Sequence, residues 1–178
     1  MFTRQITDDL SIALVQPSFA KNFYEIVCRE REYLSQWLAW PPHANGEAFF
    51  ESFVERSLHD YADGKSLTCA MVYGGEVVGN VSFNSINHEL KKVEIGYWLS
   101  QSFQGKGIAS SCVQALIDIA FQELVMEKVQ IAAATENMPS RKLAERLGFV
   151  LEGIITRNEN LNGRVVDHAI YGLSRKGE

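Results

Sequence analysis

Between Leu67 and Ala120 the hydrophobic period changes from two to that of a helix, across a turn that carries two glycines. Few architectures accommodate such a switch. Leu67, Cys69, Met71 and Tyr73 alternate with their neighbours, Gly74-Gly75 supplies a hairpin turn, and 77–83 reads as the returning strand. After the polar stretch 84–92, a third alternating run of Val93, Ile95, Tyr97 and Leu99 leads into Gln104-Gly105-Lys106-Gly107-Ile108-Ala109. A helix follows, with Ile108, Cys112, Ala115, Leu116, Ile119 and Ala120 on its apolar face. Strands that run into a glycine turn and then an apolar helix imply a sheet covered by helices, a mixed α/β class.

The flanking segments fit the same class. Leu10, Ile12 and Leu14 predict a first strand ending at Pro17. Ser18 is placed to cap a helix whose pattern continues through Leu38 until Pro41-Pro42 breaks it. A second helix is expected from about Asn45 to Gly64. Downstream, 129–134 reads as a buried strand and 140–147 as a helix stopped by Gly148. Segments 150–157 and 165–173 read as a closing strand pair around Leu161-Asn162-Gly163-Arg164. With no repeat, low-complexity tract or linker, one domain over 1–178 is expected.

Composition narrows the function classes. No apolar run approaches the ~20 residues of a membrane helix, and residues 1–17 alternate and carry acids, unlike a signal peptide. Three widely spaced cysteines, Cys28, Cys69 and Cys112, fit reduced thiols in a cytoplasm better than a disulfide framework. The formal net charge of -5 disfavours a direct grip on nucleic-acid phosphates. Residues 1–63 hold 5 Lys and Arg against 10 Asp and Glu, whereas the remainder is balanced at 12 against 12. The acid excess of the first third reads either as solvated helix faces or as a surround for a cationic substrate.

Glycines at 105 and 107 let backbone N–H groups turn toward a ligand, and the following helix N-terminus adds unpaired donors. That junction suits a pyrophosphate, and equally a tight turn that binds nothing. The Walker phosphate-loop pattern is absent. A dinucleotide fingerprint fails too, since Ser110 stands in place of the third glycine and Glu127 precedes the next strand. His43, His59, His88 and His168 show no metal-ligand spacing, and no nucleophile elbow accompanies Asp167-His168. Cys112 and the tryptophans 37, 40 and 98 read as core.

Gln104-x-x-Gly107-x-Ala109 after a strand resembles the coenzyme A loop of the GNAT superfamily of N-acetyltransferases. A second match stands downstream in the right order: Asn137-x-x-Ser140, then Leu143-Ala144-Glu145-Arg146-Leu147-Gly148-Phe149. E-I-G-Y-W-L at 94–99, Y-L-x-x-W-L-x-W-P at 33–41 and E-x-L-N-G at 159–163 resemble the bacterial ribosomal-protein N-terminal acetyltransferases. The resemblance implies a central, mostly antiparallel twisted sheet flanked by helices, with acetyl-CoA as cosubstrate. It implies pantetheine pairing near Trp98 and Leu99, with Asn137 on the arm. The pyrophosphate would sit on the amides of Gln104, Gly105, Lys106, Gly107, Ile108 and Ala109. Ser140 would lie near the thioester sulfur, where its hydroxyl could serve the leaving thiolate; it also reads as a helix N-cap.

Glu159 matches the family's acid before L-N-G and is the candidate base for the acceptor amine, with Glu94 a lesser one. The implied acceptor is a ribosomal-protein N-terminus, with no nucleic acid or membrane partner and a homodimer as a possible assembly. A small-molecule amine (polyamine, amino acid or antibiotic) is the alternative acceptor. A non-catalytic acyl-CoA-binding regulator is the alternative of a different class.

Overall fold

In a computed structural model, which describes residues 2–176, the hairpin glycines Gly74 and Gly75 adopt φ +56° and +80°. They join β3 (Leu67–Tyr73) to β4 (Glu76–Asn87), a tight turn whose two left-handed residues match the strand twist. Ahead of them come β1 (Thr3–Gln5), β2 (Leu10–Leu14), α1 (Phe19–Ser35) and α2 (Glu47–Ala62). After them come β5 (Lys92–Leu99), α3 (Ile108–Asp118), β6 (Lys128–Ala134), α4 (Met138–Arg146), β7 (Val150–Leu161) and β8 (Arg164–Ser174). The eight strands form one sheet in the order β1-β2-β3-β4-β5-β6-β8-β7, antiparallel except where β5 meets β6.

Several boundaries differ from the sequence expectation, each for a local reason. β1 was not expected; its three residues are too few to show a period and are held by pairing Thr3 with Ala13. α1 stops at Ser35 rather than Leu38 and is kinked at Glu30 (φ -128°, ψ 24°). There the Glu30 carboxylate accepts from Ser100 Oγ (2.8 Å) and Gln101 N (3.1 Å), tying the helix to the loop after β5. Ser18 occupies the cap position but makes no cap bond: its backbone is already helical (φ -63°, ψ -19°), and its Oγ accepts from Gln16 Nε2 at 2.8 Å. α4 begins at Met138 under an Asn137 cap, so Ser140 lies inside the first turn instead of capping it.

The sheet carries a hydrophobic cluster on each face. On one, Met71, Val81, Phe83 and Ile95 pack against Ile108, Cys112 and Leu116 of α3. On the other, Phe23 and Val27 of α1 and Phe50 and Val54 of α2 close over Ala70, with Trp98 packed alongside. Phe23 is fully buried and lies 5.9 Å from the Phe50 ring and 5.6 Å from the Trp98 ring. Phe23→Ala is therefore expected to cost ~3–5 kcal/mol in a urea unfolding curve. A loss under ~1 kcal/mol would mean that α1 is not anchored through this ring.

Candidate active site

The parallel contact between β5 and β6 lasts three residue pairs, Lys92 with Lys128, Val93 with Val129 and Glu94 with Gln130. Beyond them the strands separate. Their outer edges stay paired, Trp98 to Asn80 on β4 and Ala134 to His168 on β8. The facing backbone edges at 95–99 and 131–134 thus bound a wedge whose polar groups have no ladder partner across it. β4 contributes a bulge at Asn84, between Phe83 and Ser85, which bends the sheet here. A Cβ at Gly96 would come within 2.4 Å of the Asn84 side-chain amide, so a larger residue there would displace that side chain. The wedge opens into a cleft of about 1270 Å³ lined by both strand edges, α1, α2, the glycine loop, α4 and β7.

At one end of the cleft lies the glycine turn. Gly107 caps α3 at φ +74° and Gly105 sits at φ +78°; a Cβ at either would meet nothing within 4 Å. Open space, not packing, is what these glycines preserve. Gln104 Nε2 donates to the Tyr33 hydroxyl (3.0 Å) and the Leu99 carbonyl (3.4 Å), fixing the loop to α1 and the end of β5. Gly105, Gly107, Ile108 and Ala109 line the cleft, as do Trp98 and Leu99. Lys106 is exposed, with its ammonium 5.9 Å from the centre of the Tyr73 ring. From α4, Lys142 and Arg146 join the lining, and Arg146 reaches Ser110 Oγ at 3.2 Å. Sequence reasoning missed both; their i,i+4 spacing on one face of α4, three and seven residues after Pro139, was the available signal.

Midway along the cleft, Ser140 Oγ is 3.0 Å from the Tyr97 hydroxyl, and Asn137 Oδ1 accepts from Ser140 N at 3.4 Å. Burial pushes the Tyr97 phenol above its ordinary range, with the Ser140 hydrogen bond opposing in part. Tyr97 is consequently a neutral hydroxyl near pH 7, able to donate to Ser140. Glu94 lines the floor and accepts from Gln130 Nε2 at 2.8 Å.

Glu159 lines the far wall from β7, with Oε1 at 3.2 Å from His168 Nε2 on β8. The His168 Nδ1 atom lies 3.0 Å from Asn158 Nδ2. β7 is bulged here: Ile155 pairs with His168 and Glu159 with Val166, so β7 uses four steps where β8 uses two. Arg157 takes φ +49° in the bulge, and its N–H donates to Asp167 Oδ1 at 2.7 Å.

Two motifs distant in sequence meet over the cleft. Asn162 Nδ2 donates to Ala39 O (2.9 Å), Asn162 Oδ1 meets His43 Nε2 (2.7 Å), and Arg164 donates to Gln36 O. The Arg164 guanidinium also lies 5.1 Å from the centre of the Trp37 ring. The α1–α2 connection is strapped to the β7–β8 turn by these contacts. The first third's acid excess is not part of this site. Asp8, Asp9, Glu25, Glu32, Glu47, Glu51 and Glu55 are exposed, and the charged lining residues from that third, Arg56 and Asp60, cancel. These acids face solvent, on helix faces for Glu25, Glu32, Glu47, Glu51 and Glu55 and in a loop for Asp8 and Asp9, so the cleft lining takes no net charge from the first third.

The cysteines stand apart from the chemistry. Burial pushes the Cys69 and Cys112 thiols up from about 9 to about 12, while Cys28 is exposed. A thiol pKa raised by folding favours the folded state fully below pH 9, and that contribution is lost as pH climbs through about 12. Native protein at pH 8 should therefore react with Ellman's reagent at Cys28 alone, and in denaturant at all three cysteines. Its melting temperature should fall above pH 9, less steeply in Cys112→Ala. Rapid native labelling of Cys112 would contradict the packing described.

A sheet that splays between two parallel strands beside a glycine-capped helix, with hydroxyl and carboxylate groups along the split, is the frame of an acyltransferase. A family profile for the acetyltransferase (GNAT) domain matches residues 10–150, and the chain belongs to that family. It is 31% identical over 169 residues to the ribosomal-protein-serine acetyltransferase of Escherichia coli, covering 95% of this chain and 94% of that protein. Among solved structures it is similar to the microcin self-immunity acetyltransferase MccE in complex with acetyl-CoA and AMP. That match has a TM-score of 0.92 and 32% identity, over 96% of this chain and 94% of that one. It is also similar to RimL, a ribosomal alpha-N-protein acetyltransferase in complex with coenzyme A. Here the TM-score is 0.93 and the identity 27%, over 97% of each chain.

Proposed function

We propose that this acetyltransferase moves an acetyl group from acetyl-CoA to the N-terminal α-amine of a ribosomal protein in the cytoplasm, with the serine N-terminus of the large-subunit stalk protein as the leading acceptor. The observation that carries the reading is the carboxylate of Glu159 in the same cleft as the glycine-capped helix, in a chain similar over nearly its whole length to the ribosomal-protein-serine enzyme. The residues present fit the coenzyme. The bare faces of Gly105 and Gly107 leave room for a pyrophosphate on amides that a Cβ would obstruct. Lys142 and Arg146 add positive charge on the facing helix, and the unpaired edge near Trp98 and Leu99 can hydrogen-bond a pantetheine amide.

Acetyl-CoA supplies an activated acyl carbon; the chain supplies position and protons. Glu159 takes the proton of the incoming ammonium, directly or through water, so that the free amine can attack. As the C–N bond forms and the C–S bond breaks, Ser140, hydrogen-bonded by Tyr97, passes its proton to the departing thiolate. It regains one from the attacking nitrogen, so coenzyme A leaves as the free thiol. Asn137 supports the pantetheine arm from the α4 cap. A polar stretch of the cleft lining on β3 and β4 favours a peptide over a polyamine. Thr68, Asn80 and Ser82 line the cleft, and the buried Asn80 Nδ2 has no hydrogen-bond partner among the described residues. A peptide brings carbonyl oxygens to such a wall; a methylene chain would leave it unpaired.

The likeness to MccE favours a second reading, a small-molecule amine as acceptor. Purified enzyme with acetyl-CoA, offered the stalk protein's N-terminal peptide beside a panel of polyamines, amino acids and antibiotic amines, separates the two. The peptide is expected to react with the highest kcat/KM. Preference for a free small amine would overturn the ribosomal reading.

A further inference from the structure

We infer that His168 is a positioning residue, locked in its Nε2–H tautomer by Asn158, that aims and steadies the Glu159 carboxylate at the acceptor amine. This rests on the reading of Glu159 as the proton acceptor and adds the device that makes one carboxylate orientation available. His168 Nε2 faces Glu159 Oε1 at 3.2 Å. A carboxylate only accepts, so Nε2 must carry the proton. In a neutral ring that leaves Nδ1 as a lone pair, and Asn158 Nδ2 stands 3.0 Å away to donate to it. Both ring nitrogens are then satisfied in one tautomer only, and the carboxylate receives a fixed N–H.

The backbone is arranged to make this possible. Consecutive residues of a flat strand point to opposite faces, yet Asn158 and Glu159 both line the cleft and both reach the same imidazole. The two surplus residues of the β7 bulge bring them round. Its left-handed Arg157, at φ +49°, is held by the hydrogen bond its N–H gives to the Asp167 carboxylate. His168 itself has no such freedom. It lies on β8 between β6 and β7, in register with Ala134 and Ile155, and its side chain is 16% exposed against 37% for Glu159. The more mobile carboxylate is thus fastened to the more rigid ring. Among the described residues its second oxygen has no hydrogen-bond partner, which leaves it for the ammonium.

The test compares Glu159→Gln, His168→Leu, His168→Gln and the Glu159→Gln/His168→Leu double variant. Kinetics use the stalk-protein N-terminal peptide, or whichever amine of the panel turns over fastest, with acetyl-CoA affinity and thermal unfolding measured in parallel. His168→Leu should lower kcat about 10- to 100-fold, the span of one hydrogen bond to a charged group, with acetyl-CoA affinity unchanged. His168→Gln, whose amide can donate to the same oxygen, should recover most of that loss. The double variant should be no slower than Glu159→Gln alone, since His168 acts only through the carboxylate. Nitrogen NMR should show the histidine signal absent in His168→Gln as the Nε2–H tautomer in the wild-type protein, and should lose that assignment in Asn158→Leu. Wild-type rates in His168→Leu beside a slow Glu159→Gln would overturn this inference alone. So would equal losses in the Leu and Gln variants with a further loss in the double variant, the mark of a merely structural ring. Wild-type rates in Glu159→Gln would overturn the proton-acceptor reading and this inference with it.

Discussion

Glu159→Gln should lower kcat/KM for the acceptor amine by ~10²–10⁴-fold, the usual cost of removing a general base. The substitution keeps the side chain's shape and removes its ability to take a proton. Acetyl-CoA affinity should stay near wild type, because the glycine turn and α4 groups offered to the coenzyme belong to other elements. An α-amine has a pKa of ~7.7–8.0, so most of it is protonated at neutral pH and the enzyme must shed that proton first. Raising the pH should therefore restore part of the variant's rate. If Glu159 instead only binds the ammonium, kcat at saturating acceptor would survive and KM alone would climb. Unchanged kinetics would leave water or Glu94, which also lies on the cleft floor, as the proton acceptor.

Gly107→Val should abolish acetyl-CoA binding, with affinity falling roughly 100-fold or more as the amide hydrogen bonds to the pyrophosphate are lost. Two effects act together. At φ +74° a β-branched residue is strained by ~1–2 kcal/mol or more, so the turn itself shifts. The valine side chain would also enter space that is open now, since a Cβ at Gly107 meets nothing within 4 Å. The strain is small against a typical stability of ~5–15 kcal/mol, and the variant should remain folded by circular dichroism. Calorimetry showing a folded variant with wild-type affinity would remove the coenzyme from this turn.

The parts of the fold legible in the sequence were those whose periodicity is local. β3 and β5 alternate because Leu67, Cys69 and Met71, and Val93, Ile95 and Leu99, pack on the α3 side of the sheet, and Gly74-Gly75 marks the turn from β3 into β4. The end of α1 was misread because Trp37 and Leu38 keep a helical spacing of apolar residues for a different reason: they line the cleft. Pro139, inside the first turn of α4, was the signal that the helix starts before Ser140. Of the site, the glycine turn, Asn137, Ser140 and Glu159 were legible as motifs. His168, Asn158 and Tyr97 were not, because their contacts run between elements distant along the chain, from β7 to β8 and from β5 to α4. The strapping of 36–43 to 162–164 is hidden in the same way, although each motif stands out in the sequence by itself. Pairing register, and above all a two-residue bulge such as that before Glu159, leaves no trace in spacing along one chain.

Acetylation of a ribosomal protein at its N-terminal amine, as proposed for this cleft, has a direct signature in the mass of that protein. Intact-mass analysis of ribosomal proteins from otherwise identical cells, with and without this protein, tests it most directly. One protein, the stalk protein foremost, should carry a single additional acetyl group at its first residue only when this enzyme is present, and the Glu159→Gln enzyme should fail to restore it. Identical ribosomal-protein masses in both cell types, with the enzyme expressed and folded, would contradict it.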